Sequence, residues 1–505
     1  MDASAIAFGA GIVGAGGAGF PTHVKLAAKA GRFIVNAAEC EPLIEVDKFL
    51  IRTRAHDLVR GAVEMARAVG AGSVVFAIKK AYKTEVACLN DAISKITTPG
   101  VSQENRNAPD KRNAPDKRDT PNKWDTPVNR NAPNKRDTPD NRSAPDKHNT
   151  PDISVFGMRT FYPAGDEQLI ALLATGKTVP ERGIPLDVGA VVDNVATVLN
   201  FYDASGLDGT TGRPVTHRVL SVTGAVNKPV MLRAPVGTNV RLCIEAAGGC
   251  AEGSCVVMGG PMMGKFYDYS ETKQLFIKKT DGNILILPPG HKLPGKAKLD
   301  FRQLQNRARA ACIRCRMCTD LCPRYLTGHN VTPHIVMQNF YRVDNISDDA
   351  EFERAFGSAI NCCECGLCEN YACPMMLSPR RVNVSLKPLL RERGIDPKRN
   401  MRPSAREFFE EKLVPTGRLT ARLGLARYAK HLGDELIDLQ PDRVSVSLRQ
   451  QIGAPCIPCV SQGARVSEGE LIATPPEGKL GANLHAPIDG IVAALEQEAI
   501  VVASG

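Results

Sequence analysis

The sequence predicts an α/β domain, a small β-rich module, a helical cysteine-rich segment and a terminal all-β unit, joined in that order along 505 residues. Three observations predict it. Apolar strand-like runs at 73–78 and 189–192 alternate with a helical run over 54–69, the pattern of α/β units. Cysteines fall in two dense runs between 312 and 373. From 453 to 502, short strand-like runs are separated by Gly-Ala, Gly-Glu and Asp-Gly turns. A chain of this length has room for about three or four domains, each burying its own core.

The cysteine runs read Cys312-x2-Cys315-x2-Cys318-x3-Cys322-Pro323 and Cys362-x2-Cys365-x2-Cys368-x4-Cys373-Pro374. Three thiolates spaced two residues apart wrap one corner of a [4Fe-4S] cube, and the fourth, followed by proline, leaves the loop to ligate the other cube. The spacing therefore assigns Cys312, Cys315, Cys318 and Cys373 to one cluster, and Cys362, Cys365, Cys368 and Cys322 to a second. The second run is one residue longer before its last cysteine and carries a spare thiol, Cys363. Either Cys362 or Cys363 fits as the ligand, and spacing favours Cys362. Structural zinc is the rival use of CxxC pairs, but zinc sites use two pairs across a longer loop, whereas here two whole quartets each end in Cys-Pro. A protein with two such centres moves electrons.

Composition narrows the setting. The formal charge of +10 shrinks once each oxidised cube with its four thiolates adds about −2. Basic and acidic residues are interspersed and aromatics are sparse, which excludes a nucleic-acid stripe. Sixteen cysteines in a long chain, half of them at cluster spacing, fit a reducing cytoplasm better than a disulfide scaffold. Residues 3–20 are uncharged, yet six of those eighteen positions are glycine and no basic region precedes them, so they read as a binding loop and not a signal peptide or membrane span. No other stretch approaches a span, and no transmembrane segment is expected.

The first chemical stretch runs Gly14-Ala15-Gly16-Gly17-Ala18-Gly19-Phe20-Pro21-Thr22-His23-Val24-Lys25. Glycines let backbone amides approach a phosphate, and Lys25 offers a mobile positive charge for the same anion. A literal G-x-G-x-x-G is present, but the residues before it are too glycine-rich for a first Rossmann strand. Four further stretches follow in order: Phe33-Ile34-Val35-Asn36-Ala37-Ala38-Glu39-Cys40-Glu41-Pro42, Phe161-Tyr162-Pro163-Ala164-Gly165-Asp166-Glu167, Val191-Val192-Asp193-Asn194-Val195-Ala196-Thr197 and Gly259-Gly260-Pro261-Met262-Met263-Gly264. This ordered set resembles the flavin-binding, NADH-oxidising subunit of respiratory complex I. It is closer still to two relatives, the C subunit of the Rnf electron-transport complex and the cobalamin reductases of propanediol-utilisation microcompartments.

The resemblance implies FMN held by Gly14, Gly16, Gly17, Gly19 and Lys25, by Asn36 and Glu39, by Gly165 and Asp166, and by Asn194 and Thr197. It puts Glu41 and Glu167 towards the nicotinamide and Phe20 near the flavin. Asp193 stands where the family usually has a second asparagine, and the aromatic that follows the loop lysine in complex I is absent, so NADH and NADPH both remain open. No side chain is assigned a catalytic role.

Into the α/β pattern is spliced a tract of six-residue units, beginning Asn107-Ala-Pro-Asp-Lys-Arg and continuing to Asn149-Thr-Pro-Asp. A proline in every unit forbids a continuous helix or a central strand, and almost nothing apolar is available to bury. Ten Lys and Arg against eight Asp over 107–152 leave the tract nearly neutral, a poor nucleic-acid ligand. It reads as a solvated insert, with a tethering role as the alternative. Long surface insertions add little loop-closure entropy, so the domain tolerates it.

Residues 217–287 resemble the β-grasp module, a soluble-ligand-binding (SLBB) domain, of the same family. Cys243, Cys250 and Cys255 lack metal spacing there and read as buried or free thiols. The stretch 332–360 has the length of two helices, giving a compact two-cluster ferredoxin-like segment. Residues 397–436 are basic and amphipathic, with Leu413, Leu419, Leu423 and Leu425 on the apolar side. They are expected to pack on their own protein, a membrane-surface or partner helix being the rival. The tail resembles the barrel-sandwich hybrid of biotinyl and lipoyl carriers, but no lysine sits in a carrier hairpin, so a structural role is expected. The lone Cys456-x2-Cys459 reads as non-ligating.

The expected organisation is thus an FMN- and NADH-binding α/β domain over 1–210 with the insert at 105–152, an SLBB-like β-grasp domain over 215–290, a helical two-[4Fe-4S] domain over 300–395, an amphipathic helical linker over 396–445 and a barrel-sandwich hybrid over 446–505. The parts make a wire from hydride to single electrons. What the resemblance implies is an NAD(P)H-dependent reductase of a corrinoid, in or beside a cytoplasmic bacterial microcompartment, with a corrinoid enzyme, shell or adenosyltransferase as partner. Two rivals are an Rnf-like electron-entry subunit on membrane partners and a non-enzymatic carrier or structural module.

Overall fold

The computed structural model describes residues 2–97 and 151–505. The hexapeptide tract lies outside the described residues, between a helix at Lys83–Thr97 and a strand that starts at Asp152.

The first domain is a parallel sheet of four strands, β1 (Arg32–Ala37), β2 (Ser73–Lys79), β3 (Asp152–Met158) and β4 (Ala190–Asn194), in the order β3-β2-β1-β4. The central strands are near-continuous apolar runs because helices cover both faces. On one face the helix Val46–Ala68 packs with Val195–Ser205 around Phe33, Val35, Phe76 and Leu199; on the other, Ile34, Val75 and Val192 meet the helix Glu167–Thr175. Chain order reverses between β1 and β4, whose register aligns Asn36 with Asn194. In open α/β sheets the crevice at the carboxyl ends of such a strand pair is the ligand site. Of the uncharged amino-terminal stretch, Ala3–Gly9 forms a short helix capped by the Asp2 carboxylate, and the glycine loop follows it.

The β-grasp sheet contains β5 (His217–Gly224), β6 (Val230–Pro235), β7 (Cys255–Met258), β8 (Lys265–Asp268) and β9 (Asn283–Leu287), with the helix Val240–Ala246 on one face. A sixth strand, β10 (Leu436–Asp438), pairs in parallel with β6 at its edge. The stretch 396–445 is therefore not one helical linker: it holds the single helix Thr416–Arg422, a 3-10 turn at Ala426–Tyr428, and ends as a strand of another module. Pro403, Pro415 and several glycines interrupt the helix, while Leu419, Leu423 and Leu425 are buried against Tyr162, Met262 and Cys365. The apolar stripe thus packs on its own protein.

Short helices carry the cysteines around a separate apolar core of Phe340, Phe352, Phe356 and Leu386. The carboxyl-terminal unit is two small sheets, one of them including the antiparallel strands Arg443–Ser447, Gly490–Leu495 and Ala499–Ala503, packed over Val444, Ile472, Val492 and Val502. Cys456 is buried and donates to the Ala482 carbonyl, whereas Cys459 is exposed and donates to the Leu471 carbonyl, so the two thiols have different partners. One buried lysine locks three domains together: Lys279 Nζ of the β-grasp module donates to the carbonyls of Gly11 at 2.8 Å and Asn483 at 2.9 Å. Burial pushes that ammonium down to about 7. Among the described residues, no helix is long and apolar enough to cross a membrane.

A flavin crevice wired to two cysteine sets

The crevice between β1 and β4 gathers most of the residues proposed for the flavin. The glycine loop closes on itself through Gly14 N to Phe20 O and Gly19 N to Gly14 O, while Ala15 N donates to Thr197 Oγ1 at 2.9 Å. Gly16, Gly17 and Ala18 are exposed, and their amides carry no hydrogen bond to a described residue. Such a run of free amides is an anion cradle. Gly19 packs against Gln451, and its carbonyl accepts from Ile452 N, so the terminal β unit braces the loop. Phe20 is half-buried beside it.

Asn36 donates to the Gly165 carbonyl at 2.9 Å and accepts from Ala38 N, tying the end of β1 to the loop before Glu167–Thr175. Asn194 caps the next helix through Ala196 N and donates to Asp47 at 2.8 Å. Lys25 is not mobile: its ammonium sits between Val192 O at 2.6 Å, Glu167 at 3.2 Å and Asp193 at 3.3 Å. These carboxylates hold its pKa above the usual lysine range despite burial. Asp193, the departure from the family asparagine, is thus a counter-charge, so the free amides of the loop and not Lys25 are the unneutralised donors. Glu39 is half-buried, with its Oε2 shut from solvent and unpartnered, and its backbone carbonyl accepts from Lys79 Nζ at 2.8 Å. Burial, and then the charge of Asp47, pushes Glu39 upward.

Glu41 does not face open solvent. Its carboxylate accepts from Met262 N at 3.1 Å and Met263 N at 3.0 Å, both in the glycine-rich loop between β7 and β8. Gly260 is required there, since a Cβ would stand 2.3 Å from the Glu41 oxygen. Burial pushes this carboxyl up to about 7. Between its usual value and that one, the folded chain keeps a proton that the unfolded chain has lost. The stabilisation is therefore fully present below the unfolded pKa of 4.5 and is lost as pH rises through about 7, an upper bound of about 3 kcal/mol. Glu41→Gln is expected to flatten this dependence, read as the urea midpoint of the flavin domain at about pH 5 and about pH 8; an unchanged slope would exclude Glu41 as its source.

From this crevice two contacts reach the cysteines. Tyr162, fully buried, donates from its hydroxyl to the Cys365 carbonyl at 2.7 Å and lies 3.4 Å from Glu41. Asp166, which also caps Glu167–Thr175, makes a bidentate pair with Arg324 at 2.7 and 2.8 Å. Neither Tyr162 nor Arg324 was singled out by sequence reasoning, although Tyr162 lies inside the Phe161–Glu167 stretch and Arg324 follows the Cys322-Pro323 signal.

The cysteines form two groups. Cys312, Cys315, Cys318 and Cys373 line one cavity, so the last cysteine of the second run joins the first three of the first. Burial and then the neighbouring Cys373 and Cys315 push the Cys318 thiol up to about 12. Cys322 is buried among Cys362, Cys363 and Cys365, and Cys368 lies near Cys362 and Cys322. Cys363 lies towards Arg324 and Cys365, whereas Cys362 lies towards Asn383 and Lys387. The extra residue before Cys373 is absorbed as a π-turn over Cys368–Ala372, with Cys373 N bonded to Cys368 O at 3.1 Å. Thiol sets of this make-up suit two [4Fe-4S] cubes, and the amide cradle with its buried carboxamides suits a flavin phosphate and ring.

Comparison with known proteins matches these parts in order. The family model of the Nuo51 FMN-binding domain covers 8–203, the SLBB domain 219–266, the 4Fe-4S dicluster domain 311–378 and the RnfC barrel sandwich hybrid domain 435–505. The chain is 36% identical to the cobalamin reductase PduS of Citrobacter freundii over 497 residues, which span 98% of this chain and 95% of that protein. It is also 36% identical to cobalamin reductase PduS of Salmonella typhimurium over 501 residues, with the same shares. The structure of an NAD+-reducing [NiFe]-hydrogenase in the H2-reduced state aligns at 17% identity and a TM-score of 0.44, over 82% of this chain and 63% of that one. With its four domains matched and its identity sustained along nearly the whole of both relatives, this oxidoreductase belongs to the cobalamin reductase PduS family.

Proposed function

We propose that the protein oxidises NADH in the β1–β4 crevice and passes the electrons singly through both cysteine sets to a corrinoid. The balanced overall reaction is NADH plus two cob(III)alamin giving NAD+, H+ and two cob(II)alamin. When bound, FMN supplies the conversion of a two-electron donor to one-electron steps, and [4Fe-4S] centres supply single-electron conduction. The residues do the rest. Gly16, Gly17 and Ala18 would hold the flavin phosphate on their amides, with Asn36, Gly165, Asp166, Asn194 and Thr197 fixing the crevice walls around it. Glu41 is held at the crevice edge by the amides of Met262 and Met263. Cys312, Cys315, Cys318 and Cys373 would hold one cluster, and Cys322, Cys362, Cys365 and Cys368 the other.

The observation that carries this reading is the pair of contacts joining the crevice to the second cysteine set, Tyr162 to Cys365 and Asp166 to Arg324. They make the flavin crevice and that set share a wall, as an electron relay needs. The corrinoid acceptor rests on the name of the relatives, cobalamin reductase, and a place in or beside a bacterial microcompartment on the family resemblance of the sequence motifs alone. Anaerobic stopped-flow mixing with NADH tests it. Flavin bleaching followed by cob(III)alamin reduction is expected. Bleaching with turnover of ferredoxin but not of corrinoid would favour an Rnf-like role, and two full clusters without flavin would refute both.

A further inference from the structure

Beside the second cysteine set lies a cavity of about 640 Å3 that no part of the reading above uses. Its volume falls in the range of small-molecule sites. Tyr325, Asn400, Arg402, Arg406, Phe408 and Lys412 line it, and among the described lining residues Glu407 is the sole carboxylate. Arg402 and Lys412 enter none of the ion pairs formed among the described residues, so two cations face the cavity uncompensated. Arg406 is anchored: its Nε donates to the Tyr325 carbonyl at 2.8 Å and its guanidinium stacks 4.1 Å from the Tyr325 ring centre. Phe408 holds a positive φ of 59° with its side chain 58% exposed. A phenylalanine kept in that sparsely allowed conformation, with its ring in water, marks strain that the fold maintains.

The cavity wall is fixed to the cysteine segment. A Cβ on Gly328, at φ +91°, would stand 2.2 Å from the Ser404 carbonyl, so the two loops are in direct contact. The Tyr325 backbone lies beside the Cys322 thiol, and the Tyr325 hydroxyl accepts at 2.7 Å from Arg316, which stands between Cys315 and Cys318. Tyr325 thus lies beside Cys322, bonds a residue of the first cysteine run and lines the cavity.

We propose that this cavity seats the nucleotide loop of a complete corrinoid, its phosphodiester on Arg402 and Lys412 and its flat base against the exposed Phe408 ring, which brings the acceptor beside the outgoing electrons. The proposal rests on the corrinoid reading above and adds the place of binding. Arginine and lysine supply the charge-assisted bonds that a phosphodiester needs, and aromatic faces stack on a heterocycle. Cobinamide, which lacks this nucleotide loop, is the discriminating probe.

The test uses the full chain with flavin and clusters loaded, comparing wild type with the double variant R402Q/K412Q, whose side chains brace nothing else. In equilibrium dialysis the wild type is expected to bind cobalamin on the order of tenfold more tightly than cobinamide, and the variant to lose that preference. NADH-driven ferricyanide reduction should not change. Equal wild-type affinity for the two corrinoids, unchanged cobalamin affinity in the variant, or a raised KM for NADH would each overturn the site. Because dialysis needs no electron transfer, a wild type that binds cobalamin with this preference but does not reduce it upholds the site and refutes the function. Corrinoid reduction that survives in the variant with an unaltered KM does the opposite.

Discussion

Replacing Cys373 by alanine is expected to remove the cluster whose other three ligands lie in the first cysteine run, leaving about half of the iron and the signals of the other cluster intact. A reading of each run as its own site predicts the reverse, loss of the cluster beside Cys362. The geometry favours the crossed arrangement, because Cys373 shares its cavity with Cys312, Cys315 and Cys318, while Cys322 is carried into the second run. Cys322→Ala is the complement and should remove the centre nearer the flavin crevice. It should therefore slow electron delivery from NADH far more than Cys373→Ala slows it to artificial acceptors that reach the nearer centre. Iron content with low-temperature electron paramagnetic resonance of the reduced variants decides it. Retention of all the iron in Cys373→Ala would defeat the crossed assignment. The same measurement separates the neighbours at the head of the second run: Cys362→Ala should lose a cluster and Cys363→Ala should keep both.

The parts of this protein that depend on local spacing were legible in the sequence. The cysteines proposed as cluster ligands sit in fixed short intervals, β2 and β4 coincide with the apolar runs at 73–78 and 189–192, and Asn36 and Asn194 lie at strand ends, where an α/β sheet binds ligands. What escaped was whatever depends on the approach of distant segments. Nothing near Lys25 announces that Asp193 and Glu167 will neutralise it, since the partners lie more than a hundred residues away and meet it only once β4 is paired with β1. Glu41 looked like a crevice residue, and the β-grasp loop that takes up its carboxylate becomes visible only when the modules are docked. The stretch after the clusters had a leucine pattern that fits a helix, but its prolines and glycines cut it into pieces that follow the surface of three domains. Periodicity reports which side chains want burial, and the docked surfaces decide in what backbone shape they get it.

The bond between Asp166 and Arg324 should prove the largest single polar contributor to the docking of the flavin domain on the cluster segment. Both side chains are largely buried, and the guanidinium meets the carboxylate through two parallel bonds of 2.7 and 2.8 Å. Desolvating such a pair offsets much of its attraction, so the intact pair adds little net stability, but removing one partner strands a buried charge. Asp166→Asn keeps the helix cap, because an amide oxygen still accepts from Gln168 N and Leu169 N, yet removes the counter-charge of Arg324. We expect it to destabilise the docked state by about 3–5 kcal/mol. Asp166→Ala should add about 1 kcal/mol more through the lost cap. The double variant Asp166→Asn with Arg324→Met, which leaves no unpaired charge, should recover most of the loss. The midpoint at which heating bleaches the cluster absorbance, with flavin retention read in parallel, reports all three. If Asp166→Asn stays within about 0.5 kcal/mol of wild type, the pair is a surface-like contact and the coupling of the two domains must lie elsewhere, in the Tyr162 bond to Cys365 or in the contacts of Val179 and Glu181 with His329 and Asn330.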